Sequence, residues 1–211
     1  MKLFLKNLVY LIVAVGVSSA SAGAYEDFFQ AVQHNDAPAL RALLQRGMDP
    51  NTRDEKGQVG LFIALRGGHL GAAETLLQHP DVDVNAANAA GETPLMMAAL
   101  RGQVEWQRKL LARGARLHQP GWSPVHYAAT GPEPEALAQL LDQGAPVDAR
   151  SPNGTTPLMM AARYGSEASV QLLLARGADA KARNDQRLGA ADFARLAGRE
   201  RLAERLSALA R

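Results

Sequence analysis

Residues 91–99, Gly-Glu-Thr-Pro-Leu-Met-Met-Ala-Ala, return almost unchanged at 154–162 as Gly-Thr-Thr-Pro-Leu-Met-Met-Ala-Ala. A chain that repeats itself at a fixed distance builds copies of one small unit, each burying its apolar face against the next. The repeat therefore limits the architecture before any single residue does. Aligned on Gly-x-Thr-Pro-Leu, the ladder runs through a degenerate copy at Gly57-Gln58-Val59-Gly60-Leu61 and a strong one at Gly91-Glu92-Thr93-Pro94-Leu95. It continues through Gly121-Trp122-Ser123-Pro124-Val125 to Gly154-Thr155-Thr156-Pro157-Leu158, with spacings of 34, 30 and 33 residues. The signature Leu-Leu-x-x-Gly closes a unit at 43–47, 110–114, 140–144 and 173–177.

Local chemistry says how each copy folds. Thr93, Ser123 and Thr156 are strong helix N-caps, and the proline after each is preset for the first helical position, so a first helix is predicted to begin at that proline. Ala98-Ala99, Ala128-Ala129 and Ala161-Ala162 follow, small enough for neighbouring helices to approach closely. A turn at Gly102 or Gly165 then leads into a second helix ending in Leu-Leu, and the closing glycines 47, 114, 144 and 177 suit a left-handed C-cap. Extended stretches such as 81–85 and 144–148 lead into the next turn.

This motif at a period near 33 resembles the ankyrin repeat family. The resemblance implies an all-α solenoid of helix-turn-helix units joined by β-hairpin-like loops, over residues 23–211. The expected parts are an N-terminal cap at about 25–53, repeats at about 54–87, 88–117, 118–150 and 151–183, and a C-terminal cap at about 184–211. Phe28 and Phe29 fall 33 residues before Leu61 and Phe62, which makes the first segment a cap without its own turn. The Arg- and Glu-rich helix from Glu200 to Arg211 is expected to solvate the other end.

The spacing of 30 marks a departure. Gly114 to Gly121 spans seven residues where Gly47 to Gly57 and Gly144 to Gly154 span ten, so three residues are missing from a finger that holds His118, Pro120 and Trp122. Either the gap is a recess on a binding face, or the indole packs over a neutral deletion. The spacing of 34 needs no function, since one added turn residue at 79–81 is easily accommodated.

The first 22 residues differ in kind. Lys2 and Lys6 precede an apolar run from Leu8 to Val17 broken only by Gly16, followed by small residues, which is the layout of a secretory signal peptide. Ala20-Ser21-Ala22 and Ala22-Gly23-Ala24 offer two cleavage sites, and the alternatives are an uncleaved anchor or a buried helix. The expected location is the bacterial periplasm, with no membrane attachment after cleavage. Removing residues 1–22 takes two of the 23 basic residues and none of the 21 acidic ones, which leaves a formally neutral chain and no support for nucleic-acid binding. With no cysteine, an exported chain must be held by packing alone.

No catalytic or phosphate-binding motif occurs, so no enzyme activity and no cofactor are expected. Metal binding at His79, Asp81 and Asp83, or at His118 with His126, is the weaker reading, because these are ordinary turn residues and His126 holds a position that is structural in the resembled family. Met96 and Met159 replace that histidine in the two near-identical copies. Trp106, on a second helix, is expected to pack between units.

The resemblance implies a contact surface made of hairpin tips and first-helix ends. Carried over by position it gives Arg66, Leu100, Arg101, His118, Trp122, Arg150, Arg163 and Tyr164 as candidate partner-binding residues, with Arg66, Arg101 and Arg163 expected along one side. Trp, Tyr and Arg most often dominate interface energies. The expected function is non-covalent binding of another protein by a monomer. Similarity to small exported ankyrin proteins found with catalases implies a supporting role in peroxide defence. The rival within the binding class is an immunity protein that blocks a toxin, and the rival from another class is a metal- or haem-handling protein using His118 and His126.

Overall fold

The computed structural model describes residues 23–211, and the expected signal segment at 1–22 lies outside the described residues. Helices come in pairs: α1 (residues 23–33) with α2 (Ala37–Gln45), α3 (Gly60–Gly67) with α4 (Leu70–Leu77), α5 (Pro94–Leu100) with α6 (Val104–Ala112). α7 (Pro124–Thr130) pairs with α8 (Pro134–Asp142), α9 (Pro157–Tyr164) with α10 (Glu167–Ala175), and α11 (Ala190–Leu196) with α12 (Glu200–Leu209). Among the described residues the only β pairing is one isolated antiparallel bridge between Arg53 and Val59, and no helix is long and apolar enough to cross a membrane. The chain divides into two compact units, one ending at Asp83 and one running from Val84 to Arg211.

The first helices start at Pro94, Pro124 and Pro157, as their sequence requires. Thr93 and Thr156 hold extended backbone and accept the N–H groups of Met96 and Met159 on their hydroxyls at 3.4 Å. Both methionines answer with their sulfur, 3.4 Å from the threonine N–H, so they keep a weak form of the bond that the histidine makes in the copy between them. There Ser123 N–H donates to His126 Nδ1 at 3.3 Å, which fixes the proton on Nε2, and Nε2–H donates to the Thr155 carbonyl at 3.1 Å. His126 is fully buried and ties its own helix start to the next hairpin. Burial pushes its pKa below the ordinary 6.5, against the smaller upward pull of its bonds to the backbone.

The degenerate first copy has a steric reason. Gly60 stands where the others have proline, and a Cβ there would sit 3.1 Å from both the Phe28 ring and Leu76. Phe28, Leu40, Leu61, Phe62, Leu65 and Leu76 are the largest fully buried side chains of the first unit, with Phe28 and Phe29 edge to face at 5.1 Å.

Each Leu-Leu-x-x-Gly closes its helix by the same pair of bonds. At the third copy Gly114 N–H reaches the Leu111 carbonyl at 3.0 Å and Ala115 N–H the Leu110 carbonyl at 2.9 Å, with Gly114 at φ 85°. The leucine pair thus gives its side chains to the core and its carbonyls to the cap. The two inter-helix glycines named by sequence work differently. Gly102 is left-handed at φ 68°, whereas Gly165 is extended and is required for space: a Cβ on it would run into the Ala129 carbonyl and lie 2.9 Å from Ala161 Cα.

In the second unit the alanine pairs 98–99, 128–129 and 161–162 are all fully buried, and one core runs from Ala99 to Leu206. α12 gives it Leu202, Ala203 and Leu206 and leaves Arg201, Glu204 and Arg205 exposed, as a cap should. Arg199, unmarked in the sequence reading, is no solvating residue: its Nη1 donates to the carbonyls of Ala161, Ala162 and Gly165 at 2.9–3.1 Å and so caps α9 from the next pair. Trp106 is 6% exposed on α6, with Lys109 Nζ 4.8 Å from its ring centre.

Two outcomes follow for stability. Gly165→Ala should lower the unfolding free energy by about 1–3 kcal/mol through overpacking, while Gly198→Ala, left-handed but with open space around it, should cost about 1 kcal/mol; urea titrations compare them. For His126 the depressed pKa means that the unfolded chain takes up a proton first as pH falls. Its contribution is complete above 6.5 and is lost below it, by up to about 1.4 kcal/mol per pH unit. His126→Met should be less stable at pH 7 by about 1–3 kcal/mol yet lose less between pH 7 and pH 5 than the parent.

Candidate functional surface

Hairpin tips are shaped by short polar side chains. Asp54 in the first unit and Asn88 and Asn184 in the second each accept two backbone N–H groups of their own turn, and Ser151 Oγ accepts that of Thr155. Three residues earlier stands a second series, which spans successive loops. Asn51 bonds the Asp81 carbonyl and the Asp83 N–H, Asn85 bonds the Gly114 carbonyl and the Arg116 N–H, and Asp148 accepts the Asp179 N–H.

The shortened finger merges the two series. His118 lies four residues after Gly114 and three before Gly121, so one residue holds both places. The loop position it would serve is Pro146, which has no N–H to give. The three-residue deletion and Pro146 therefore fit each other, and His118 is left exposed at the gap. Gln119 replaces the lost tie by donating to the Gly91 carbonyl at 3.0 Å.

Trp122 is half-buried and stands edge-on to His126, ring centres 5.2 Å apart. Its removal would disturb a buried histidine as well as any contact surface. Both nitrogens of His126 are occupied by protein groups, so it has no lone pair to offer a metal beside His118. Among the described residues no group of three or more His, Cys, Asp or Glu is placed to hold a metal ion, the His79, Asp81 and Asp83 turn included.

The first-helix ends carry the remaining candidates. Arg66 and Arg163 hold the same place, seven residues after their N-caps Val59 and Thr156, and Leu100, Thr130 and Leu196 hold it in the other copies. Arg101 lies one residue further on, as the C-cap of α5, so it does not share that row. Arg66 stacks 5.3 Å from the Phe62 ring centre, and Arg163 lies 5.0 Å from that of Tyr164. Tyr164 is 57% exposed and Leu196 58%. The ring and the guanidinium plane hold each other extended, which lowers the entropy lost on binding.

Sequence reading missed the polar clasp beneath this edge. Tyr127 donates its hydroxyl to Glu92 Oε1 at 2.8 Å, and Asn88 donates to Glu92 Oε2 at 2.8 Å. Burial first, then the Glu92 carboxylate, push the phenol pKa well up, so it stays a donor. Each oxygen of Glu92 is thereby tied to a neighbouring side chain. Arg150, exposed, donates to the Arg183 carbonyl at 2.7 Å, and Asp185 N–H reaches the Asn153 carbonyl at 3.0 Å, which laces the last two fingers together.

Comparison with known proteins agrees with this geometry. A family model described as ankyrin repeats in three copies matches residues 28–120 and 109–184. Human transient receptor potential cation channel subfamily A member 1 is 28% identical over 159 residues, 70% of this chain but 14% of the channel, so this chain spans about a seventh of that relative. The ankyrin repeat protein YahD of Escherichia coli is 30% identical over 152 residues, 72% of this chain and 63% of that protein. A chain in the solved complex of the Bdellovibrio bacteriovorus predatory endopeptidase Bd0816 with the immunity protein Bd3460 superposes with a TM-score of 0.72 and 27% identity, covering 86% of this chain and 97% of that one. Paired helices, capped starts, left-handed closures and the matched span together place the chain: it belongs to the ankyrin repeat family.

Proposed function

We propose that this chain is an exported immunity-type binder that captures a peptidase non-covalently and blocks it. The likeness to a chain of an endopeptidase–immunity protein complex, across nearly the whole of both chains, is the observation that carries this reading. Ankyrin repeats bind proteins, and a surface of helix ends and fingers suits binding by occupation. The two lysines and apolar run at the N-terminus support export to the periplasm, where a peptidase would threaten its producer. The role in peroxide defence has no residue or structural likeness behind it, so the immunity reading takes precedence. A metal- or haem-handling role is disfavoured by the occupied nitrogens of His126.

Tyr164 and Arg163 are assigned to the contact. Arg163 lies against the Tyr164 ring, which is 57% exposed, so replacing them tests binding with little disturbance of the core. Affinity capture from the periplasm of the source cell with residues 23–211 should retain a peptidase and suppress its activity. Tyr164→Ala with Arg163→Ala should weaken that capture at least tenfold, with the thermal midpoint shifted by no more than about 2 °C. Retention of a non-peptidase partner, or unchanged capture by the double variant, would contradict the assignment.

A further inference from the structure

Two observations in the second unit point to one kind of contact. The first is charge. The neutral exported chain is divided: the described residues up to Asp83 hold 5 basic and 9 acidic side chains, while Val84–Arg211 holds 16 basic and 12 acidic. Of the twelve acids, Glu105, Asp142, Glu167 and Asp192 are paired with arginines, and Glu92 accepts from Tyr127 and Asn88. Arginines on the fingers keep most of their donors.

The second is a backbone outlier. In the four other fingers the tip position is Gly57, Gly91, Gly121 or Gly154, at φ 71–85°. The last finger holds Arg187 there, at φ 62°, a conformation that non-glycine residues rarely adopt. Asn35 is the other described non-glycine residue with positive φ, and it has a structural reason: its Oδ1 accepts the Ala72 N–H at 2.8 Å. Arg187 has no such reason. Its backbone N–H makes the ordinary turn bond to the Asn184 carbonyl at 2.8 Å, which glycine would make equally well, and its side chain is exposed. Strain retained for an exposed guanidinium marks a group kept for what it meets.

We infer that an acidic segment of the partner protein docks on the two laced final fingers, with Arg150 and Arg187 gripping its carboxylates. Arg150 is positioned by its bond to the Arg183 carbonyl, which uses one of its five N–H donors and leaves the rest for a bidentate carboxylate contact. A nucleic acid fits less well, because affinity for a phosphate chain needs many cationic contacts and two fingers supply few.

This docking rests on the protein-binding reading above and fails separately from it. The test is fluorescence anisotropy of a labelled decaglutamate peptide titrated with residues 23–211 at low salt, beside thermal unfolding. Arg187→Gly and Arg150→Gln should each weaken peptide binding about threefold to tenfold, while Arg108→Gln, the same charge loss on α6, should change it less than twofold. Arg187→Gly should leave the thermal midpoint unchanged or raise it by about 1–3 °C. Equal loss from Arg108→Gln, no binding of decaglutamate, a lowered midpoint for Arg187→Gly, or tighter binding of a twelve-nucleotide single-stranded DNA would each overturn the inference. If both finger variants still captured a peptidase at full strength, this docking would fall and the immunity reading would stand.

Discussion

The close approach of successive first helices is the constraint on which the second unit depends. Alanine pairs with no exposed surface let α5, α7, α9 and α11 pack backbone against side chain, and Gly165 goes further by leaving no room for even a methyl group beside the Ala129 carbonyl. Helices of seven or eight residues have little stability of their own. They persist because each is buried along one face and held at its start, α5, α7 and α9 by an N-cap Thr or Ser and α11 by Asp192, which accepts the Gly189 N–H, and because a glycine follows each end, with Arg199 added at α9. Everything a partner can touch is carried on the edges of this stack, so the rigidity of the stack becomes the preorganisation of the surface.

Polar side chains link one copy to the next at the level of the loops. Asn85, Asp148, His126 and the Glu92–Tyr127 pair each bond across a copy boundary within the second unit, and Asn51 does so within the first. Where three residues were lost, the loops adjust: His118 stands for two residues at once, Pro146 removes the donor that would have gone unpaired, and Trp122 stands edge-on to His126. The irregular finger is thus a coherent local solution.

The architecture was legible because its determinants are local and periodic: Thr-Pro starts, Ala pairs, and Leu-Leu-x-x-Gly closures each act within one turn of chain. The surface was legible only in part. Arg66, Arg163 and Tyr164 could be placed by register, but Arg101 falls one residue off it. Glu92 accepts the Tyr127 hydroxyl, a bond between residues 35 apart that no local pattern signals. The role of Arg199 was not legible because its carbonyl partners lie more than thirty residues away. The charge division could not be seen without knowing where one compact unit ends, and the significance of Arg187 rests on a φ value, although its place in the row of glycines was readable from the alignment of the fingers.

If binding uses the fingers and first-helix ends of a preformed stack, hydrogen–deuterium exchange of the captured complex against the free chain should register it there. Added protection is expected at 150–154, 163–164 and 183–188, with α6, α8, α10 and α12 unchanged. Protection concentrated on those second helices, or spread evenly through the chain, would contradict it.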